Sequence, residues 1–118
     1  MNLIIERNHF DGLSGALEDI RVRNLYPTTY ATDRATAASP HWHSEEVIAY
    51  LVKGKTYFLD AEGDKHQLEA GDLITVPART LHAEGDINEP VVMLIALAEA
   101  IPMDQFLAQR APEELHGE

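Results

Sequence analysis

The chain of 118 residues contains no cysteine, which excludes disulfides, thiolate catalysis, cysteine-ligated zinc and iron–sulfur clusters together. Any metal it holds must sit on histidine and carboxylate. Basic residues are scarce: 9 Lys and Arg against 20 Asp and Glu give a formal net charge of −11. A nucleic-acid duplex or an anionic membrane surface is repelled by that balance, so neither is an expected partner. Long apolar runs are missing as well, since the longest, Val91 to Ala98, falls far short of the roughly 18 residues of a membrane span. The N-terminal MNLIIERNHF has no basic lead-in, no long apolar region and no small-residue cleavage site, and the expected location is the cytoplasm. What remains is ordinary globular composition, 45% hydrophobic and 25% charged, at a length that predicts one domain over residues 1–118.

The patterning predicts a mainly β chain. A short leading strand is expected at residues 2–6, and the glycine-containing stretch Asp11 to Asp19 reads as a connection with a brief helical segment. Ile20 to Tyr26 alternates apolar with polar and predicts a half-buried strand. Residues 27–40 read as an irregular strand or loop. From Val47 the signals become dense: VIAYLVKG, KTYFLD, KHQLEA, ITVP, LHAEGD and VVMLIALA are strands separated by turns at Gly54, Ala61 to Asp64, Gly71-Asp72 and Gly85-Asp86. Such spacing predicts an antiparallel sandwich or barrel. Beyond Pro102 the pattern changes to a short C-terminal helix over 102–110, with Met103, Phe106, Leu107 and Arg110 on one face, and residues 111–118 as a loosely held tail.

Six histidines are the raw material for chemistry. In His41-Trp42-His43 two imidazoles stand at i and i+2, which on a strand puts them on one face, able to converge on one ion. In the second cluster Gly71 launches a strand, Pro77 stops it and His82 opens the next, so a small barrel can supply three imidazoles from two strands. His9, His66 and His116 read as solvent-facing. Tyr50, Tyr57 and Phe58 suit either a pocket lining or the core. Arg21, Arg23 and Arg79 could clamp a substrate carboxylate or serve as surface partners. Gly12-Leu13-Ser14-Gly15 falls one residue short of a nucleophile elbow, and no phosphate loop, HExxH or EF-hand pattern occurs.

On these residues the chain resembles a small single-domain cupin over residues 38–98. His41, His43 and Gly54 match the first cupin motif; Gly71, Pro77 and His82 match the second, with Arg79 in place of its second glycine and Asp86 in place of its final asparagine. The resemblance implies a double-stranded β-helix (jelly-roll) barrel with a metal site near its axis. It also implies a carboxylate ligand, but Val47 stands at that position, with Glu45 and Glu46 just before it. The expected site is therefore His41, His43 and His82, alone or with one of those two glutamates, holding a divalent ion such as iron, manganese, nickel or zinc. The function implied is a metal-dependent enzyme, dioxygenase-like or isomerase, acting on a small polar organic molecule. The alternatives are a non-catalytic module that binds a small molecule or metal, and an interaction protein with a vestigial site. The apolar final strand and the family's habit predict a homodimer.

Overall fold

The computed structural model describes residues 2–102 and 104–117, with the backbone alone at His116 and Gly117. The chain runs β1 (Ile4–Glu6), α1 (Gly12–Arg23), β2 (Tyr26–Thr32), β3 (Val47–Lys53), β4 (Lys55–Leu59), β5 (Lys65–Glu69), β6 (Leu73–Val76), β7 (Ala83–Glu84), β8 (Val91–Leu97) and a terminal 3-10 helix (Pro112–Gly117). Two antiparallel sheets form, one in the order β1-β6-β3-β8-β2 and one in the order β5-β4-β7. No helix among the described residues is long and apolar enough to cross a membrane.

Alternation on the two central strands of the larger sheet explains its continuous apolar runs. Val47, Ala49 and Leu51 of β3, with Met93 and Leu97 of β8, face inward and pack against Phe58 and Leu68 of the smaller sheet. Ile48 and Tyr50 of β3, with Leu94 and Ala96 of β8, face outward and are covered by Phe10 and by Ala16 and Ile20 of α1. Both faces are thus buried, which is why neither strand shows an apolar–polar alternation. β8 lies between β3 and β2, so its apolar residues are used up inside the sheet and lend no support to pairing with a second copy.

The first half of the chain departs from expectation at α1. Ile20 to Arg23 is the last turn of a helix, not a strand, and Asp11 to Asp19 supplies most of the rest. Ala16 and Ile20 are buried at i and i+4, whereas Val22, which made the stretch look alternating, points to solvent at 68% exposure. Asn24 ends the helix in the left-handed conformation (φ 61°), with Leu25 N–H donating back to Ile20 O at 3.0 Å. Tyr50 Oη then fastens the helix to the sheet by donating to Asp19 Oδ2 at 2.6 Å, and Arg23 Nε lies 2.8 Å from the same oxygen. Residues 26–32 form a regular strand along β8.

The C-terminal helix also forms elsewhere than expected. Residues 104–107 make turns, and Leu107 adopts a positive φ of 59° that a continuing helix does not permit. The backbone of Arg110 bonds instead to Trp42, donating at 2.9 Å and accepting at 3.2 Å, so the segment docks as an added bridge against residues 41–43. Met103 lies outside the described residues. The stretch expected as a loose tail holds the 3-10 helix at Pro112–Gly117, and Ala111 O accepts a 2.8 Å bond from Trp42 Nε1.

Candidate metal centre

His41, His43 and His82 come together as the two motifs require. All three are buried, at 4%, 6% and 1% exposure, and their ring centroids are 5.1, 4.6 and 5.2 Å apart. His41 and His43 share a face at i and i+2, and His82 stands opposite His41 in an antiparallel bridge. Each ring is oriented through its Nδ1: His41 onto Ser39 O at 2.8 Å, His43 onto Ala108 O at 3.1 Å, His82 onto Thr80 O at 2.9 Å. A carbonyl only accepts, so each Nδ1 carries a proton, and in the neutral ring each Nε2 is then the nitrogen left for a metal.

The fourth member was not foreseen. Glu84, on β7, lies with Oε2 3.1 Å from His82 Nε2 and Oε1 3.3 Å from His41 Nε2. One ligand atom from each of His41, His43, His82 and Glu84 lies within 4.8 Å of the other three. Glu45 and Glu46 stay outside this cluster, in the bend before β3, half-buried and exposed respectively. The available signal was His82-x-Glu84, the same i, i+2 spacing as His41-x-His43. The motif's register points instead to the stretch after His43, where Val47 lines a cavity.

The electrostatics favour a bound cation. Burial pushes the Glu84 carboxyl up, yet its contacts with His41 and His82 outweigh this and hold it well below the usual carboxylate range. Burial lowers His41, but Glu84 and the Ser39 carbonyl more than compensate and raise it. For His43 burial prevails over its bond to Ala108, with the neighbouring imidazoles adding to it, and its proton affinity falls. His41 Nε2 is buried and faces Glu84 Oε1 at 3.3 Å without meeting hydrogen-bond geometry, and such an unsatisfied nitrogen is the kind a metal satisfies. Three imidazole nitrogens and one carboxylate oxygen suit a divalent first-row transition ion.

A model of the cupin domain matches residues 31–96. The chain belongs to the cupin family. Its fold is similar to that of a DUF861-family protein of Thermotoga maritima, at 21% identity over 80% of this chain and 98% of that one, with a TM-score of 0.57. A DMSP lyase of Ruegeria pomeroyi is similar at 20% identity and TM-score 0.57, over 67% of this chain and 40% of the lyase. The salicylate 1,2-dioxygenase of Pseudoaminobacter salicylatoxidans is similar at 14% identity and TM-score 0.55, over 63% of this chain and 20% of that one. The cupin thus spans less than half the length of the lyase and the dioxygenase, and identities this low establish the fold alone. No curated protein sequence matches it.

Beside the cluster this cupin has a cavity of about 300 Å³, reached by His43, His82 and Glu84 and lined also by Val47, Ala49 and Phe58. Phe58 stacks on His82, with ring planes 10° apart and centroids 6.3 Å apart. Tyr50 belongs to the outer core under α1 and not to the cavity. No candidate arginine lines it: Arg21 pairs with Glu18, Arg23 with Asp19, and Arg79 lies over the Trp42 ring at 5.7 Å. His66 and His9 are partly buried, bound to Asp60 at 2.8 Å and Asp19 at 3.3 Å. His116 lies outside the described side chains.

Proposed function

We propose that this cupin is a metal-dependent enzyme in which His41, His43, His82 and Glu84 hold a divalent ion, with iron, manganese, nickel and zinc as the candidates, and the adjoining cavity takes a small organic substrate. The observation that carries the reading is the convergence of three buried, carbonyl-oriented imidazoles and one carboxylate at one end of that cavity. When bound, such an ion acts as a Lewis acid on a chelating substrate or as a centre for dioxygen or water activation, the chemistry of a dioxygenase or an isomerase. The chain's own contribution is positional. Ser39, Ala108 and Thr80 fix the rings through their carbonyls, Phe58 covers the face of His82, and the apolar wall excludes bulk water from the reacting end.

A second reading, a non-catalytic binding module, is favoured by one observation. Apart from the cluster, Tyr30 is the one titratable side chain among the described cavity-lining residues, so acid–base work would fall to the cluster itself.

Elemental analysis of the purified protein, beside His41→Ala/His43→Ala, His82→Ala and Glu84→Gln, tests the proposal. Near-stoichiometric metal in the wild type, lost in both histidine variants and weakened in Glu84→Gln, supports it. Metal absent even after reconstitution sinks it, and metal retained without turnover of any small substrate favours the binding module.

A further inference from the structure

The cavity itself narrows the substrate class. Its walls are Val47, Ala49, Val76, Met93 and Ile95 from the larger sheet and Phe58 from the smaller, and no Lys or Arg lies among its described lining residues. Away from the cluster, a buried charge would therefore have no counterion and would be strongly disfavoured by desolvation. The net charge of −11 adds a further bias against polyanions. One polar group interrupts the apolar wall at depth. Thr56 is 6% exposed and lines the cavity. It shares the inward face of β4 with Phe58, two residues further along, which puts it about 7 Å from the ring that packs on His82. The remaining polar lining residues, Tyr30, Thr36 and Gln109, are exposed.

We propose that the substrate carries a single charged or metal-binding group at the His41/His43/His82/Glu84 end, an apolar body, and an uncharged hydroxyl or carbonyl at the far end that bonds to Thr56. Thr56 is then a positioning residue that selects for this class, and dianionic substrates are rejected. The anchored end rests on the metal-dependent reading above; the uncharged body and the role of Thr56 do not.

Calorimetry with small probes tests this. On zinc-loaded protein, 4-hydroxybenzoate binds about three- to tenfold more tightly than benzoate, the worth of one neutral hydrogen bond. Terephthalate, which adds a second charge, binds at least tenfold more weakly than benzoate. The near-isosteric Thr56→Val abolishes the preference for the hydroxyl and leaves benzoate affinity unchanged, with its melting temperature showing that the fold persists. Neutral 4-methylphenol, measured on His43→Ala/His82→Ala protein, separates the two proposals: Thr56-dependent binding there upholds the cavity assignment even if wild type takes up no metal. Terephthalate matching benzoate, a hydroxyl preference that survives Thr56→Val, or no probe binding at millimolar concentration overturns the inference.

Discussion

The backbone N–H of His41 donates to the carbonyl of His82 at 2.8 Å, and that of His82 donates to the carbonyl of His41 at 2.9 Å. This closed pair fixes two of the ring-bearing positions through main chain alone, at the roughly 5.5 Å Cα spacing of a hydrogen-bonded antiparallel pair. Their imidazoles can therefore be altered without dismantling the scaffold beneath them. Glu84→Gln keeps the shape and removes the charge. Its metal affinity is expected to fall by more than the roughly 10–100-fold that changes around a ligand shell cause, while its metal-free melting temperature stays near that of wild type. Metal titration followed by a thermal melt checks both halves, and undiminished affinity would remove Glu84 from the site.

The C-terminal segment is expected to matter to His43. Trp42 Nε1 holds Ala111 O at 2.8 Å, and Ala108, three residues earlier, supplies the carbonyl that orients His43 at 3.1 Å. Trp42→Phe deletes the first bond, at a cost of about 1 kcal/mol, and loosens the second. Limited proteolysis should then cut faster near residues 104–112, and metal affinity should drop several-fold. Faster cleavage with unchanged affinity would mean that Ala108 does not position the ring.

These residues mark where the sequence was readable. The strands from Val47 onward were legible because each is short, apolar and closed by a turn, and the three histidines because their i, i+2 spacing and the Gly71–His82 offset are local. α1 reads as a strand because Ile20 and Val22, alternating with Arg21 and Arg23, mimic a period of two, and only packing against Ile48 and Leu94 reveals that Ile20 is the core residue of the pair. The segment 104–110 was misread because its bonding partner, Trp42, is more than sixty residues away. Glu84 is harder to read for a similar reason: His82-x-Glu84 repeats the i, i+2 spacing, but nothing local says that this stretch lies against His41.

Arg79 occupies a position where the cupin motif has glycine, and it adopts φ +62°. Its N–H donates to His43 O at 2.8 Å, so the turn is tied to the site. The left-handed conformation costs a non-glycine residue roughly 1–2 kcal/mol, partly offset here by the guanidinium over Trp42. Arg79→Gly relieves the strain and loses the side chain's contacts, the stacking among them, and should be better tolerated than Arg79→Val by about 1 kcal/mol or more. Arg79→Val keeps the strain, worsens it by β-branching and loses the stacking, and should cost about 2 kcal/mol in urea unfolding. Equal effects of the two would show that φ is not the governing constraint.

Gly54 is constrained twice over. Its φ is +90°, and a Cβ there would overlap the carbonyl oxygen of Pro90 and crowd Val91 at the start of β8. Since the obstacle includes backbone, it cannot swing aside. Gly54→Ala should destabilise the protein by about 2–4 kcal/mol, and the β3–β4 corner should lose amide-exchange protection first. A loss below about 1 kcal/mol would show that the corner can relax.

Asp72 links three parts of the chain and predicts an acid sensitivity of defined sign. Its carboxylate accepts Asn8 N–H at 2.9 Å, Glu69 N–H at 2.9 Å and Arg7 Nη1 at 3.0 Å, joining the stretch after β1 to the turn between β5 and β6. Burial pushes this carboxyl up, but the two backbone donors and the guanidinium together outweigh it and hold it below the ordinary aspartate value. The unfolded chain therefore binds the proton first as pH falls. The stabilisation is complete above the unfolded value of about 3.9 and is lost as pH drops through it toward the lower folded value. Asp19 and Asp60 are lowered as well, so the wild-type slope alone does not isolate Asp72. The difference in unfolding free energy between wild type and Asp72→Asn does. Measured by urea titration from about pH 6 to about pH 3, that difference should shrink as pH falls; a constant gap would mean that the charge on Asp72 contributes nothing beyond its shape.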